Sequence, residues 1–128
     1  MKSLIISLLI VFGLTFIIEV KDAGSSRAIF QTETSWYSKK DPGILRTTAN
    51  MEIFDDEKLT CAIWDLPFNT LLRVTNLENG RYIYVRVNDR GPAKRLVNRG
   101  RALDLTKEAF SKIADLKEGL IRVQVEII

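Results

Sequence analysis

From Thr32 onward, apolar and polar residues alternate in short runs, and turn-forming residues cut those runs apart. "ETSWYS" (33–38) reads as a first strand, followed by a loop carrying Asp41-Pro42-Gly43. "LTCAIW" (59–64) is a second, ended by Asp65 and Pro67. "LLRVTN" (71–76) and "RYIYVRV" (81–87) flank Leu77-Glu78-Asn79-Gly80, whose Asn-Gly pair accepts positive φ and predicts an antiparallel hairpin. "ALDLT" (102–106) is a short strand that hands over to a helix. Thr106 suits its N-cap, Glu108 its first turn, Ala109, Phe110 and Ile113 its apolar stripe, and Gly119 its exit region. "LIRVQVEII" (120–128) alternates again and closes the sheet. Six strands and one short helix predict a mainly β domain, and closure into a small barrel removes exposed sheet edges.

In 81–87, Ile83, Val85 and Val87 share one face, while Tyr82, Tyr84 and Arg86 share the other. Extended geometry carried two residues further puts Asp89 on the valine face, at the rim of an apolar interior. Partial desolvation there raises a carboxyl pKa.

The N-terminus is patterned differently. Met1-Lys2-Ser3 precedes an apolar run, Leu4 to Ile18, and small residues follow at Ala23-Gly24-Ser25. This is the layout of a secretory leader, so residues 1–25 are expected to direct export and 26–128 to form the barrel. The run is short for a membrane span of ~20 residues, which favours cleavage over anchoring. No cysteine lies near the cleavage region to carry a lipid. The expected location is the periplasm, cell envelope or exterior, with no stable membrane insertion once the leader is removed.

Composition then narrows the chemistry. Cys61 is the only cysteine, so no internal disulfide forms and the small core must rely on apolar packing. Histidine is absent, which removes Ser-His and Cys-His catalysis and argues against a zinc site. No metal or other cofactor is expected, and any catalysis falls to carboxylates. The net charge is +3, with Arg86, Arg90, Lys94, Arg95, Arg99 and Arg101 opposed in their stretch only by Asp89. For an exported chain this suggests an anionic polymer before nucleic acid; a solvated loop is the plainer alternative.

Most acidic residues occupy turn, helix or alternating surface positions. Glu52 in "TTANMEIF" and Asp89 in "VNDRGP" differ, each lying among small polar residues where a strand gives way to a loop. Two such carboxylates across a groove could work as acid and base on a glycosidic bond, provided one keeps its proton. Arg86 and Arg90 would oppose that at Asp89, and a purely turn-forming Asp-Arg-Gly-Pro remains the alternative.

"TSWYS" (34–38), the stretch from Arg46 to Pro92 and "RALDLTKEAF" (101–110) resemble, in order, the double-psi β-barrel domain of the rare lipoprotein A family. The resemblance is carried most specifically by Leu66-Pro67-Phe68, Val74-Thr75-Asn76-Leu77, Asn79-Gly80-Arg81 and Asn88-Asp89-Arg90-Gly91-Pro92. It implies a six-stranded double-psi barrel in an exported bacterial protein acting on peptidoglycan glycan strands. It further implies lytic cleavage between N-acetylmuramic acid and N-acetylglucosamine with a 1,6-anhydro product. Asp89 takes the place of the general acid, while Glu52 either stabilises oxocarbenium-like charge or helps deprotonate the C6 hydroxyl. Trp36 and Tyr37 are placed to stack on sugar or to pack the barrel; Asn50 would bind substrate or hold its loop, and Asn88 and Arg90 would orient the acid. Cell-division or wall-synthesis proteins are the implied protein partners. The chain departs from the family pattern at Ser38, Met51 and Asn69, where glycines are usual, and at Ile63, where many members carry histidine. The retained acids favour an enzyme; the missing histidine favours a non-catalytic, expansin-like polysaccharide-binding module.

Overall fold

The computed structural model describes the backbone of residues 5–10, 16–22 and 25–128, and side chains from Arg27 onward. Of the expected leader, residues 1–4, 11–15 and 23–24 lie outside the described residues, and the side chains of the rest do as well. Where its backbone is described, β1 (Ile5–Ile10) pairs antiparallel with β2 (Phe16–Asp22), which pairs antiparallel with the start of β3 (Ser25–Tyr37).

The other strands are β4 (Thr60–Ile63), β5 (Leu71–Asn76), β6 (Tyr82–Asp89), β7 (Arg101–Thr106) and β8 (Ile121–Ile127). From β3 the order runs β7, β4, β6, β5, β8, and β8 pairs back onto β3. Six strands thus close a barrel, and each of the six expected strand segments contributes one. The predicted hairpin is present: β5 and β6 pair antiparallel with Leu72 opposite Val85 and Val74 opposite Ile83. β3–β7 and β4–β6 are parallel, so the connections leaving β3 and β4 must cross the barrel instead of turning back at once.

Alternation fills the interior as the pattern requires. Leu72, Val74, Val85, Val87, Leu103, Leu105, Val123 and Val125 are fully buried inside. The expected helix, α2 (Lys107–Ile113), is capped by Thr106, whose Oγ1 accepts from Ala109 N, and buries Ala109, Phe110 and Ile113. A second helix, α1 (Lys94–Val97), was not expected; it is one turn within the basic connection and buries none of its residues. Cys61 is fully buried in the core and burial pushes its thiol well up, consistent with its reading as an apolar residue.

One prediction of the alternation is overturned, and it concerns the site. Opposite β4, Thr60 pairs with Arg86 and Cys61 with Val87, but Ala62 pairs with Asp89. Asn88 is the extra residue of a β-bulge, so the inward-outward phase flips after Val87. Asp89 leaves the valine face and emerges on the barrel's outer surface.

Candidate active site

The bulge puts Asp89 beside Ala62 of β4, and on the other side of Ala62 lies Asp104 of β7. The two carboxyl-bearing residues share a face and are two strand spacings apart, on the order of 10 Å between backbones. Ala62 and Gly91 leave the floor between them low. Gly91 has φ 151°, and a Cβ there would stand 3.6 Å from Ala62 Cβ and 4.0 Å from Asp104 Oδ2. A side chain at 91 would therefore be strained and would crowd the groove.

Asp89 is held by three donors. Its Oδ1 accepts from Ala49 N and Arg90 N, both at 2.9 Å, and Oδ2 from Tyr37 Oη at 3.3 Å. The nearby arginines expected to pair with it do not. Arg86 is turned to Glu52, while Arg90 lies 3.9 Å over the Phe68 ring and donates to Ile63 O. Arg90 thus orients the candidate acid through its backbone N–H, whereas the Asn88 side chain donates to Glu52 and makes no hydrogen bond to Asp89. Tyr37 is buried, stacked on Phe54 at 4.8 Å. Burial, and then the Asp89 charge, push its hydroxyl far above the ordinary range, so it acts as a neutral donor. With one ring face against Phe54, Tyr37 is a support for Asp89 more than a sugar platform.

Asp104 is the acid that the pattern did not single out, since "ALDLT" reads as an ordinary strand. Its carboxyl is mostly buried and paired with Arg101 at 2.7 Å. Burial raises its pKa against the opposing pull of Arg101, and Asp89 raises it further.

Glu52 sits on the loop between β3 and β4, where Thr47 bridges Ile53 and Thr48 N donates to Glu52 O. Its carboxylate takes four hydrogen bonds. Arg86 donates in a fork, Nη1 to Oε1 at 2.6 Å and Nη2 to Oε2 at 2.9 Å; Asn50 Nδ2 donates to Oε1 and Asn88 Nδ2 to Oε2. Arg86 first, then the two amides, lower its pKa to about 2. Asn50 Oδ1 in turn accepts from Thr48 Oγ1 and Glu52 N, so Asn50 holds the loop.

Glu52 yields a pH prediction. Its folded pKa lies below the unfolded value of 4.5, so its stabilisation is complete above pH 4.5 and is lost as pH falls toward 2. With the side chain 38 % exposed, the contribution is screened to about 1 kcal/mol or less. Melting temperatures of wild type and Glu52→Gln should differ at neutral pH and converge as pH falls through that window. A gap that widens on acidification contradicts the assignment.

Two of the unusual residues preserve a glycine conformation. Met51 has φ 71° and Asn69 has φ 69°, the left-handed region in which glycine is at ease. Asparagine tolerates it; methionine does so at about 1 kcal/mol. Met51→Gly is therefore expected to raise the unfolding free energy by about that amount in urea titrations, and a loss instead would contradict the strain. Ile63, at the family histidine position, is buried in the core. Trp36 points away from Asp89 as well. Its indole N–H donates to Leu116 O and its ring packs on the core, so of its two readings the structure supports packing. Among the described residues, no three His, Cys, Asp or Glu side chains gather to hold a metal ion.

Comparisons with known proteins agree with this architecture. Residues 29–125 match the family described as lytic transglycolase, a double-psi β-barrel. A "Probable endolytic peptidoglycan transglycosylase RlpA" of Nostoc is 41% identical over 106 residues, 83% of this chain and 28% of that protein. The "Endolytic peptidoglycan transglycosylase RlpA" of Campylobacter jejuni is 45% identical over 94 residues, 73% of this chain and 32% of that protein. The chain thus spans about a third of the length of these relatives. Among solved structures, a Streptomyces papain inhibitor superposes with TM-score 0.61 at 23% identity, covering 78% of this chain and 94% of that one, a likeness of fold alone.

Proposed function

The chain belongs to the lytic transglycolase family of double-psi β-barrels, and from that premise we propose that it cleaves peptidoglycan glycan strands at N-acetylmuramic acid–N-acetylglucosamine bonds without metal or cofactor. The observation that carries this reading is Asp89, raised onto the outer face by the bulge and held by Tyr37, Ala49 and Arg90 beside a floor of Ala62 and Gly91.

In this reading Asp89 donates a proton to the leaving O4 as the C1–O4 bond breaks. The C6 hydroxyl of the same muramic acid then attacks C1, and its proton returns to the Asp89 carboxylate. One C–O bond is lost and one gained, no water is consumed, and the product ends in a 1,6-anhydro ring. Glu52, with its lone pairs committed to four donors and its pKa near 2, is a poor base. Its fixed negative charge suits the cationic sugar of the transition state, which favours the electrostatic role over deprotonation. Asp104 is the further carboxyl of the groove and the natural second candidate for holding the proton. The leader would take the protein to the cell envelope, where peptidoglycan lies.

The Glu52–Arg86 fork also favours a second reading. An acid tied this firmly to the scaffold is compatible with a groove that binds glycan without cutting it, as a polysaccharide-binding module would. Incubating purified protein with isolated glycan strands separates the two. Soluble fragments are expected; retention on the strands with no fragment release would establish the binding module and overturn the enzyme.

A further inference from the structure

Two segments lead from the floor of the acid groove to one aromatic side chain. Trp64 follows Ala62 by two residues at the end of β4, on the order of 7 Å of extended chain, and Pro92 follows Gly91. The segments are tied together there, because the Trp64 indole N–H donates to Pro92 O at 2.7 Å and so fixes the ring beside the floor. Trp36, Leu66 and Phe68 pack on the barrel core, and Trp64 is not among the side chains that do. Its ring is partly exposed, and Lys94 Nζ stands 5.0 Å from the ring centroid. Lys94 is exposed and, among the described residues, makes no salt bridge. From Arg90 to Arg101 the chain adds Arg95 and Arg99 to these cations and carries no acid; Asp65 is the acid adjacent to Trp64 in the chain.

We propose that Trp64 and Lys94 form a saccharide subsite for a sugar with an acidic substituent, and that on the substrate proposed above this is a muramic acid unit recognised by its lactyl carboxylate. The flat face of a pyranose presents C–H hydrogens, which the negative face of an indole attracts. An ammonium at this distance from a partly exposed ring is held weakly. Its flexible stem lets it swing off the ring to the carboxylate as the sugar takes its place. The ring lies about one sugar unit along the groove from Ala62, so a chain seated at Asp89 passes over it. The inference rests on the groove binding glycan, and not on its cutting it.

The chain has two tryptophans, so intrinsic fluorescence reports the subsite once Trp36 is controlled for. The probes are glycan strands free of stem peptides and neutral oligomers of N-acetylglucosamine, read on mixing, before turnover accumulates. Both should change the fluorescence; the change should survive Trp36→Phe and vanish in Trp64→Phe. By calorimetry, Trp64→Ala should raise Kd for both probes about tenfold or more, while Trp64→Phe, which keeps an aromatic face but no indole N–H, should stay within about threefold of wild type. Lys94→Gln should raise Kd about fivefold for the muramic acid strands and leave the neutral oligomers unchanged. A fluorescence change that persists in Trp64→Phe overturns the subsite, as does an unaltered Kd in Trp64→Ala. A loss in Trp64→Phe equal to that in Trp64→Ala makes the indole a structural tie and overturns the stacking. Equal effects of Lys94→Gln on both probes overturn the carboxylate contact. Strands that bind at Trp64 and are never cut sink the enzymatic reading and leave the subsite; strands that are cut with no response from Trp64 do the reverse.

Discussion

Asp89→Asn is expected to lower fragment release from glycan strands by at least about 10²-fold, the usual contribution of a positioned general acid. The substitution is nearly isosteric. Its carbonyl oxygen can still accept from Ala49 N and Arg90 N, and its amide can donate to the Tyr37 hydroxyl. What it removes is the proton. The variant should therefore keep its unfolding midpoint within about 1 kcal/mol of wild type, which separates a chemical loss from a structural one. Undiminished release would move the acid elsewhere, and Asp104→Asn, made alongside, would show whether the more buried carboxyl carries it.

Phe110→Ala carries the largest expected effect on stability. Phe110 is fully buried and belongs to the core cluster that unites α2 with the barrel. Truncation removes most of an aromatic side chain and leaves a cavity that strands on several sides cannot easily collapse to fill. The expected cost is about 3–5 kcal/mol, read from denaturant midpoints. For a domain of this size each kcal/mol lowers Tm by roughly 4–8 °C. The loss should also reach the groove, because α2 follows β7 directly and Asp104 lies two residues before the Thr106 cap. A loss below about 1 kcal/mol would mean that the helix end of the barrel repacks freely.

The barrel was legible because its determinants are local. Alternation marked the six strands, Asn79-Gly80 the hairpin, and Thr106 the helix start, and each of these signals lies within a few residues of what it specifies. The site was legible only in part. Glu52 and Asp89 stood out as acids among small polar residues, yet the face on which Asp89 lies depends on one bulged residue. Alternation cannot announce such an insertion in advance. Two successive polar residues, Asn88 and Asp89, were the available hint, and the buried one proved to be Asn88. The Arg86–Glu52 fork joins residues 34 apart in the chain, so only the closed barrel brings them together. For the same reason closeness in sequence does not make Arg86 a partner of Asp89. Asp104 carries no sequence signal because a carboxylate between two leucines has the signature of any outward strand position; its partner Arg101 lies on the same strand, and only Gly91 approaches it from another segment. Met51 and Asn69 show the converse. Loss of a glycine from the sequence did not mean loss of its conformation, since the surrounding loop holds both residues at positive φ.

The mass of the cleaved ends tests the central claim most directly. If the C6 hydroxyl is the nucleophile at the Asp89 groove, fragments released from isolated glycan strands end in 1,6-anhydro-muramic acid, one water lighter than a reducing end, and incorporate no label from ¹⁸O water. Fragments with ordinary reducing ends carrying ¹⁸O would contradict the account and make the protein a hydrolase.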